Sequence, residues 1–394
     1  VSIMNKNKLI LIAAIISCIG STAIAENIDN SVGGNAGNYN AVNSLFIGKD
    51  HTINVASAGF APAENVAMLG DDNHIHPNVK SALVTGHDNH IDASYTVTGG
   101  MHNTIHKEAT YALTAGWQNS NMANSSLVVG HRNHARNADN VLMFGYNNTV
   151  ANGANNSFAG GDTSEVSGKN SFAFGEGAKA KTDNTYAIGK KATATAENTL
   201  AVGNQANAAE EGALAIGFNS EASARDSIAI GGNVREPGDT ITGEPKTVAS
   251  GRQSIAVGYR ATAKGSLGIS VGDNAYSEGN GSVAIGGWSI ATGDHATAVG
   301  GGHARADRAV VVGDGNADGV ESVSMGYYSS EITKKNVVAI GANTHSEVEN
   351  SVALGASARA DEVVSTNSAN IAGKTYNFAG GTADGTVSIG GKIM

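Results

Sequence analysis

The chain has 394 residues, 52 glycines, 4 prolines and a formal net charge of −10. This acidic balance, without a run of like charge, argues against nucleic acid or an anionic membrane surface as the main partner, because phosphate recognition requires clustered lysine and arginine. A chain of this length ordinarily folds into two or three globular domains, but a short repeated phrase indicates a repeat architecture instead.

The N-terminus has the three parts of a secretory signal peptide. Lys6 and Lys8 give it a basic start, residues 9–19 are apolar, and residues 23–25 (Ala-Ile-Ala) are typical of a cleavage site. The apolar run is too short to span a membrane as a helix. We therefore expect residues 1–25 to be a signal peptide that is removed on export.

Two alternatives for this segment stay open. One is a buried helix of the mature protein, and the other is lipoprotein processing at Cys18, because residues 15–18 (Ile-Ile-Ser-Cys) loosely fit a lipobox. Cleavage after Ala25 leaves no cysteine, so neither a disulfide nor thiol chemistry is expected. We expect residues 26–43 to form an N-terminal cap for the repeats that follow.

A short phrase that ends in glycine organises the rest of the chain. It is Ser-Ile-Ala-Ile-Gly at residues 227–231 and Ser-Val-Ala-Leu-Gly at residues 351–355. In the later part the closing glycines recur mostly every fourteen residues, at Gly175, Gly189, Gly203, Gly217 and Gly231, and then at Gly258, Gly272, Gly286, Gly300, Gly313, Gly326, Gly341 and Gly355. In the earlier part their spacing is looser, at Gly48, Gly70, Gly86, Gly100, Gly116, Gly130, Gly145 and Gly160. A fixed period predicts that each repeat is one structural unit stacked on its neighbours.

Apolar residues alternate within each repeat. Counted from the closing glycine, positions −3 and −1 carry Val, Ile or Leu, as at Ile228 and Ile230, while positions +3 and +5 often carry alanine, as at Ala192 and Ala194. Period-two alternation is typical of strands, and glycine suits a turn because it accepts a positive φ without steric cost. Each coil is therefore predicted to hold two short strands, with one turn after the glycine and another near Asn or Ser.

The first strand of each coil is apolar on both faces, because position −2 carries a small residue such as Ala229. Two apolar faces indicate burial on both sides. A single short coil buries only one face internally, so the other face requires a partner, and the small side chains on one side favour a close approach. Self-association of the chain is the simplest solution. The pattern does not decide which face points into the coil.

Position +3 divides the chain into two parts. Six consecutive early coils carry asparagine there, at Asn73, Asn89, Asn103, Asn119, Asn133 and Asn148. Stacked amides are expected to form a hydrogen-bonded ladder. The column changes to alanine at Ala178, so we predict an Asn/His-rich part at residues 44–160 and an Ala-rich part at residues 161–360.

Most histidines lie in the earlier part, and His74, His90 and His134 share position +4. A stacked imidazole column would suit a metal, an anion or a pH switch. A solvated polar face beside the Asn ladder is the preferred interpretation, because no cysteine or carboxylate completes a ligand set. We therefore expect no metal and no cofactor.

Large aromatic side chains occur in the turn that follows the glycine. Position +1 carries Trp117, Tyr146, Phe218, Tyr259 and Tyr327, with Tyr328 beside the last, and Trp288 occupies position +2. Either these are ordinary exposed aromatics or they are contact points for a protein partner, since Tyr and Trp are enriched in hot spots. Both interpretations stay open.

One insertion interrupts the period between Gly231 and Gly258, within residues 232–253. It contains two prolines and the charged residues Arg235, Glu236, Asp239, Glu244 and Lys246. Insertions in a solenoid form loops on one face, often the binding face, although an insertion without a role is also tolerated. These charged residues are candidate ligand contacts.

The repeat of Asn-Ser-Val-Ala-Leu-Gly at residues 350–355 resembles the head repeat of trimeric autotransporter adhesins of the YadA type. The segments Phe-Ala-Gly-Gly-Thr at 378–382 and Val-Ser-Ile-Gly at 387–390 resemble the connector of that family. The resemblance implies a left-handed parallel β-roll, all-β, assembled as a homotrimer and displayed on the surface of a Gram-negative bacterium. Since the repeat lapses after residue 360, residues 361–394 are expected to be a connector toward a neck and stalk. The family's stalk and outer-membrane anchor are not among these residues, so we expect a head segment of a longer protein.

The function implied by this resemblance is adhesion to host extracellular matrix, such as collagen or fibronectin, or to host receptors such as those of the CEACAM class. A structural spacer or a rod for contact between bacteria is the alternative. An enzyme is not expected, because the sequence contains no P-loop or H-E-x-x-H motif, and its one G-x-S-x-G string, at residues 268–272, is part of the repeated phrase. Its glycines recur with the coil period and do not open a helix after a strand.

Overall fold

A computed structural model of the chain describes residues 28–30, 41–42, 44–53, 61–232, 246–329, 332–380 and 382–390. They form two compact units that meet between Asn156 and Ser157 in the sequence. The predicted signal peptide, most of the cap segment and most of the 232–253 insertion lie outside the described residues. Every regular element in the described ranges is a strand. A helix long and apolar enough to cross a membrane is absent from these same ranges.

The first unit, which ends at Asn156, stacks coils that each contain a longer strand one and a two-residue strand two. Strand one spans Leu45–Lys49, Ala63–Asp71, Lys80–His87, Thr96–Met101, Leu113–Trp117, Leu127–His131 and Val141–Tyr146. Strand two spans Thr52–Ile53, His74–Ile75, His90–Ile91, Thr104–Ile105, Ser120–Asn121, His134–Ala135 and Thr149–Val150. Two further strands, Ile28–Asn30 and Ala41–Val42, pair in parallel with Leu45–Lys49 and Ala63–Asp71.

The second unit, from Ser157 onward, repeats this plan with a shorter strand one, which after its first coil has three residues. Strand one spans Ser157–Asp162, Phe172–Phe174, Tyr186–Ile188, Leu200–Val202, Leu214–Ile216, Ile228–Ile230, Ile255–Val257, Ile269–Val271, Val283–Ile285, Thr297–Val299, Val310–Val312, Val323–Met325, Val338–Ile340, Val352–Leu354 and Val387–Ile389. Strand two spans Glu165–Val166, Lys179–Ala180, Thr193–Ala194, Asn207–Ala208, Glu221–Ala222, Val248–Ala249, Thr262–Ala263, Tyr276–Ser277, Ile290–Ala291, His303–Ala304, Asn316–Ala317, His345–Ser346 and Arg359–Ala360.

Strands of successive coils pair in parallel and in register, so each coil lies directly against the next. Gly86, for example, pairs with Gly100, and Gly100 with Gly116. This confirms the predicted parallel β-solenoid with coils of about fourteen residues. The handedness of the coil and the homotrimer stay predictions.

The assignment of Gly160 as a closing glycine is wrong by one residue. Gly160 pairs with Phe174, which precedes the closing Gly175, so Gly161 occupies the repeat position. Gly161 has a φ of +110°, and a Cβ placed on it would lie 3.0 Å from the backbone of Gly175. Two adjacent glycines made the sequence ambiguous, and the strand pairing resolves it.

The structure shows which face of strand one points into the coil and which points outward. In the second unit the alanines at position −2, such as Ala201 and Ala229, are fully buried inside the coil. Their neighbours at −3 and −1, such as Ile228 and Ile230, point outward and are only half-buried in the single chain. The small side chains therefore fill the interior of the coil, and the larger aliphatic side chains form the outer face that lacks a cover in one chain.

Two residues per coil have a left-handed backbone, which confirms the two predicted turns. One lies at position +2, as at Lys191 and Gln205. The other lies five residues before the closing glycine, as at Asn184 and Asn198. These four residues have φ between 55° and 59°. Asparagine adopts this conformation more readily than most residues, which explains its frequency at the second turn.

The period ends after Arg359–Ala360. An antiparallel hairpin of Ser368–Ile371 and Lys374–Asn377 follows. The chain then returns, and Val387–Ile389 pairs in parallel with Val352–Leu354. This last strand therefore occupies the edge of the final coil, while a role of residues 361–394 as a connector toward a stalk stays a prediction.

Candidate interaction surfaces

The predicted asparagine ladder forms inside the first unit. It fixes the segment at positions +1 to +3 of each coil, which carries surface side chains of that unit. Asn103 Nδ2 donates to Asn89 Oδ1 at 2.9 Å and to the carbonyl of Gly116 at 2.9 Å. The next rung repeats this bond, since Asn119 Nδ2 donates to Asn103 Oδ1 at 2.9 Å. These side chains are essentially fully buried. Each amide thus binds the coils on both sides of it and holds the +1 to +3 turn in a constant geometry.

The ladder aligns an exposed row at position +1. Trp117 pairs with His131 and His131 with Tyr146. The Trp117 and His131 rings stack with centroids 4.5 Å apart, and the Tyr146 ring meets His131 edge-on at 5.0 Å. We call Trp117, His131 and Tyr146 the aromatic row. The sequence identified its two ends but missed His131, although the shared +1 position was a sufficient signal.

The aromatic candidates of the second unit do not form one cluster. Phe218 and Tyr259 are half-buried, and the guanidinium of Arg260 lies 5.0 Å from the centre of the Tyr259 ring. Trp288, Tyr327 and Tyr328 are exposed. The two tyrosine rings meet edge-on at 4.4 Å, and the side-chain hydrogen bond with Tyr328 raises the pKa of the Tyr327 hydroxyl above its ordinary value.

Only Lys246 of the candidate loop residues lies in a described range. Its Nζ donates to Glu221 Oε2 at 2.8 Å, so it forms a surface ion pair with a neighbouring coil. Arg235, Glu236, Asp239 and Glu244 lie outside the described residues, and their role as ligand contacts stays a prediction.

The histidines do not form a continuous column. The rings of His74 and His90 are adjacent, 5.8 Å apart, but Thr104 and Ser120 separate His90 from His134.

Aspartates lie beside several imidazoles as hydrogen-bond or ion-pair partners. His102 Nδ1 lies 2.7 Å from Asp88 Oδ2, and His87 Nδ1 lies 3.5 Å from Asp72 Oδ2. Within the described ranges, no group of three or more His, Cys, Asp or Glu side chains is arranged to hold a metal ion. The fold therefore presents a polar face of paired histidines and aspartates here.

The outer face of strand one carries an apolar stripe in each unit, which we define as the side chains at positions −3 and −1. In the first unit it includes Leu83 and Val97, and in the second unit Ile285, Val312 and Leu354, each 38–45% exposed. At the start of the second unit it is aromatic, where Phe158 stacks on Phe172 at 4.3 Å and Phe174 and Tyr186 are exposed. A continuous apolar strip of this kind marks an interaction surface.

The outer face of strand two has the opposite character. In the second unit it is mostly polar and includes charged side chains such as Glu165, Lys179 and Glu221, although Val248 and Ile290 are apolar. Glu165 and Lys179 form an ion pair at 3.9 Å across adjacent coils. Burial of such charges is unfavourable unless each is paired and hydrogen-bonded. The apolar stripe is therefore the better face for packing against another chain, and the strand-two face is suited to solvent.

The second unit matches a known family model. The model described as YadA head domain repeat (2 copies) matches residues 167–192, 183–206, 208–233, 249–275, 277–302 and 334–358. All six segments lie in the second unit and follow its coils. A comparison with curated proteins found no match for the chain. The matched family consists of exported, surface-exposed adhesins and is not a family of enzymes.

Proposed function

Residues 167–358 are a YadA-like head domain of a trimeric autotransporter adhesin, and we propose that the protein attaches bacteria to host cells. In this proposal three chains form the head, and the head binds a host receptor, such as one of the CEACAM class, or an extracellular matrix protein. The observation that carries the proposal is the contrast between the apolar stripe on strand one and the mostly polar outer face of strand two.

That contrast supports self-association of the chain, and the YadA-type family implies that three chains associate. The stripe leaves aliphatic side chains such as Ile285 and Val312 half-exposed along the whole second unit. Each square ångström of apolar surface removed from water contributes about 25 cal/mol, so a stripe repeated on every coil favours association strongly. As in the family, the coils of this proposal are left-handed. With strand one facing the other two chains, the strand-two faces and turns remain available to a ligand.

Host contact in this proposal occurs at the exposed turns. The aromatic row in the first unit and Trp288, Tyr327 and Tyr328 in the second unit present the large side chains that dominate protein interfaces. The 232–253 loop is the other candidate, because insertions in a solenoid often belong to the binding face. Three copies of each contact give avidity, which exceeds single-site affinity by about 10²–10⁴ when the geometry allows.

The test is a binding measurement with the purified assembly against collagen, fibronectin and a CEACAM-class receptor. We expect saturable binding to at least one of them, and a loss when the contact residues of that ligand are replaced. Three variants separate the sites: Trp117→Ala with Tyr146→Ala, Tyr327→Ala with Tyr328→Ala, and a deletion of residues 233–245. Tyr111→Ala is the control, because Tyr111 is more exposed than any of these aromatic residues and is not a predicted ligand contact.

Each outcome has a defined meaning. Loss of receptor binding on loop deletion, with the assembly intact, supports the loop, and unchanged binding rejects it. Equal losses in Tyr111→Ala would argue against specific contacts at the predicted aromatics. If the intact assembly binds none of these ligands, the protein is instead a spacer or a rod for contact between bacteria. Anchoring in the outer membrane through a segment outside these residues is part of the same proposal.

A further inference from the structure

A surface cleft of about 490 Å³ lies in the first unit, over the outer side of strand two. Its lining includes Ser120, Met122, His134, Arg136, Asn137 and Asn152. The volume falls within the range of about 300–1,000 Å³ that is usual for small-molecule sites. The cleft is separate from the aromatic row, whose residues lie at the end of strand one on the same coils.

The coil register places the lining side chains next to one another. Ser120 pairs with His134, so both stand at position +4 of adjacent coils. Met122 and Arg136 take position +6, where the Met122 amide donates to the Ala135 carbonyl at 2.7 Å and the Arg136 amide donates to the Val150 carbonyl at 3.0 Å. The backbone beneath the cleft is thus fixed by the parallel ladder, so the site is pre-organised.

The chemistry of the cleft is cationic, although the chain as a whole is acidic. Arg136 is exposed, and its guanidinium makes no ion pair or hydrogen bond with any side chain in the described ranges. The carboxylate nearest in sequence, Asp139, accepts a hydrogen bond from Asn124 Nδ2 at 3.1 Å. The histidines near the start of the unit have aspartate partners, as His102 does in Asp88, whereas no carboxylate lines this cleft.

The polar groups around Arg136 favour a hydroxylated ligand. The amides of Asn137 and Asn152 each donate and accept hydrogen bonds, and the Ser120 hydroxyl does the same. The thioether side chain of Met122 offers an apolar surface for the face of a ring. A guanidinium binds a carboxylate or sulfate through two parallel hydrogen bonds. The combination of one anion site, three hydroxyl partners and one apolar contact is the chemistry of an acidic sugar.

We propose that this cleft binds an anionic sugar, with its acid group on Arg136 and His134 and its hydroxyls on Ser120, Asn137 and Asn152. Two sources carry this chemistry: a carboxylated terminal sugar such as sialic acid, and a sulfated glycosaminoglycan. The site does not depend on a protein receptor, so it stands or falls independently of the adhesion proposal above.

The test is calorimetric titration of the purified chain with sialyllactose, with a sulfated chondroitin oligosaccharide and with neutral lactose. We expect one of the two anionic sugars to bind at least about tenfold more tightly than lactose, and which one it is identifies the source. Arg136→Gln should lower that affinity about tenfold or more, because it removes a charged hydrogen bond. His134→Gln should produce a smaller loss.

Arg252→Gln is the matched control, since Arg252 is an exposed arginine of the second unit without a side-chain partner in the described ranges. Its affinity should equal that of the parent. The proposal is overturned if neither anionic sugar shows saturable binding, if lactose binds equally well, if Arg136→Gln binds like the parent, or if Arg252→Gln causes the same loss as Arg136→Gln. If Arg136→Gln alters the circular dichroism spectrum, the His134→Gln titration decides, and unchanged binding there overturns the proposal.

Discussion

The two units use the same backbone coil but fill it differently. In the first unit strand one reaches nine residues, at Ala63–Asp71, and the interior holds large side chains such as Met68, Ile91 and Met143 beside the asparagine ladder. In the second unit strand one has mostly three residues, and the interior is mostly the small residues alanine, serine and threonine. Protein interiors are close-packed, so a larger coil requires larger side chains. The repeat therefore fixes the turns and the register, while the circumference of the coil is set by the volume inside it.

The largest expected effect is a loss of stability in the first unit alone. Asn103→Ala should destabilise it by about 3–5 kcal/mol, because the partner groups of Asn89, Asn119 and Gly116 lose their buried hydrogen bonds. Asn184→Ala is the control in the second unit and should cost about 1 kcal/mol. The exposed Asn184 amide makes only two long bonds there, donating to Asn198 Oδ1 at 3.2 Å and accepting from Asn170 Nδ2 at 3.3 Å. Hydrogen exchange of each unit's amides measures both. Equal losses would show that the ladder has no special role.

The next largest effect is the loss of stability on replacing a closing glycine by alanine, and it is expected to be the same in both units. A Cβ on Gly116 would lie 1.9 Å from the Gly130 carbonyl oxygen, and one on Gly203 would lie 2.4 Å from that of Gly217. Gly116→Ala and Gly203→Ala should therefore each cost about 3 kcal/mol. Gly153→Ala is the control, because its Cβ would meet nothing within 4 Å. Tolerance of the alanine in only one unit would contradict a shared closing turn.

A smaller loss of stability is expected from changes in the volume of the side chains that fill the interior of the coils. Ala201→Val should overpack the second unit and cost about 1–3 kcal/mol. Val128→Ala makes the reverse change at the same −2 position of the first unit and should leave a cavity, at a cost of about 1–2 kcal/mol. Both side chains are fully buried. Hydrogen exchange that shows Ala201→Val to be neutral would mean that the second unit has spare volume.

The smallest effect concerns the surface. Lys190 Nζ lies 2.7 Å from Glu176 Oε2, but both side chains are about half exposed. Lys190→Gln should therefore change the free energy of unfolding by about 0.5 kcal/mol or less in either direction. A loss as large as that of Ala201→Val would indicate that ion pairs between coils carry much of the stability of the second unit.

Much of the fold could be predicted because the period is nearly constant. The spacing of Gly175, Gly189 and Gly203 was enough to place strands and turns, and the asparagines at +3 were enough to predict the ladder. The sequence did not reveal which face of strand one points inward, since Ala229 and its neighbours Ile228 and Ile230 are all apolar. Only the coil geometry assigns the small side chain to the narrow interior.

The site was less predictable than the fold. His131 was missed as a member of the aromatic row because its role depends on the rings above and below it. The cleft at Arg136 combines residues of adjacent coils that no sequence motif brings together. Position Gly160 was misassigned because two glycines are adjacent there. Repetition thus predicts the scaffold well, whereas binding surfaces arise where side chains differ from one coil to the next.

The most direct test of the central claim is the mass of the assembled protein by sedimentation equilibrium at micromolar concentration. The apolar stripe predicts an assembly, for which the YadA-type family implies three chains per particle, and Ile285→Glu combined with Val312→Glu should lower that mass. Thr262→Glu, on the outer face of strand two, should leave it unchanged. A parent protein that sediments as a single chain, or a stripe variant that still sediments as three chains, would contradict the assignment of strand one as the assembly face.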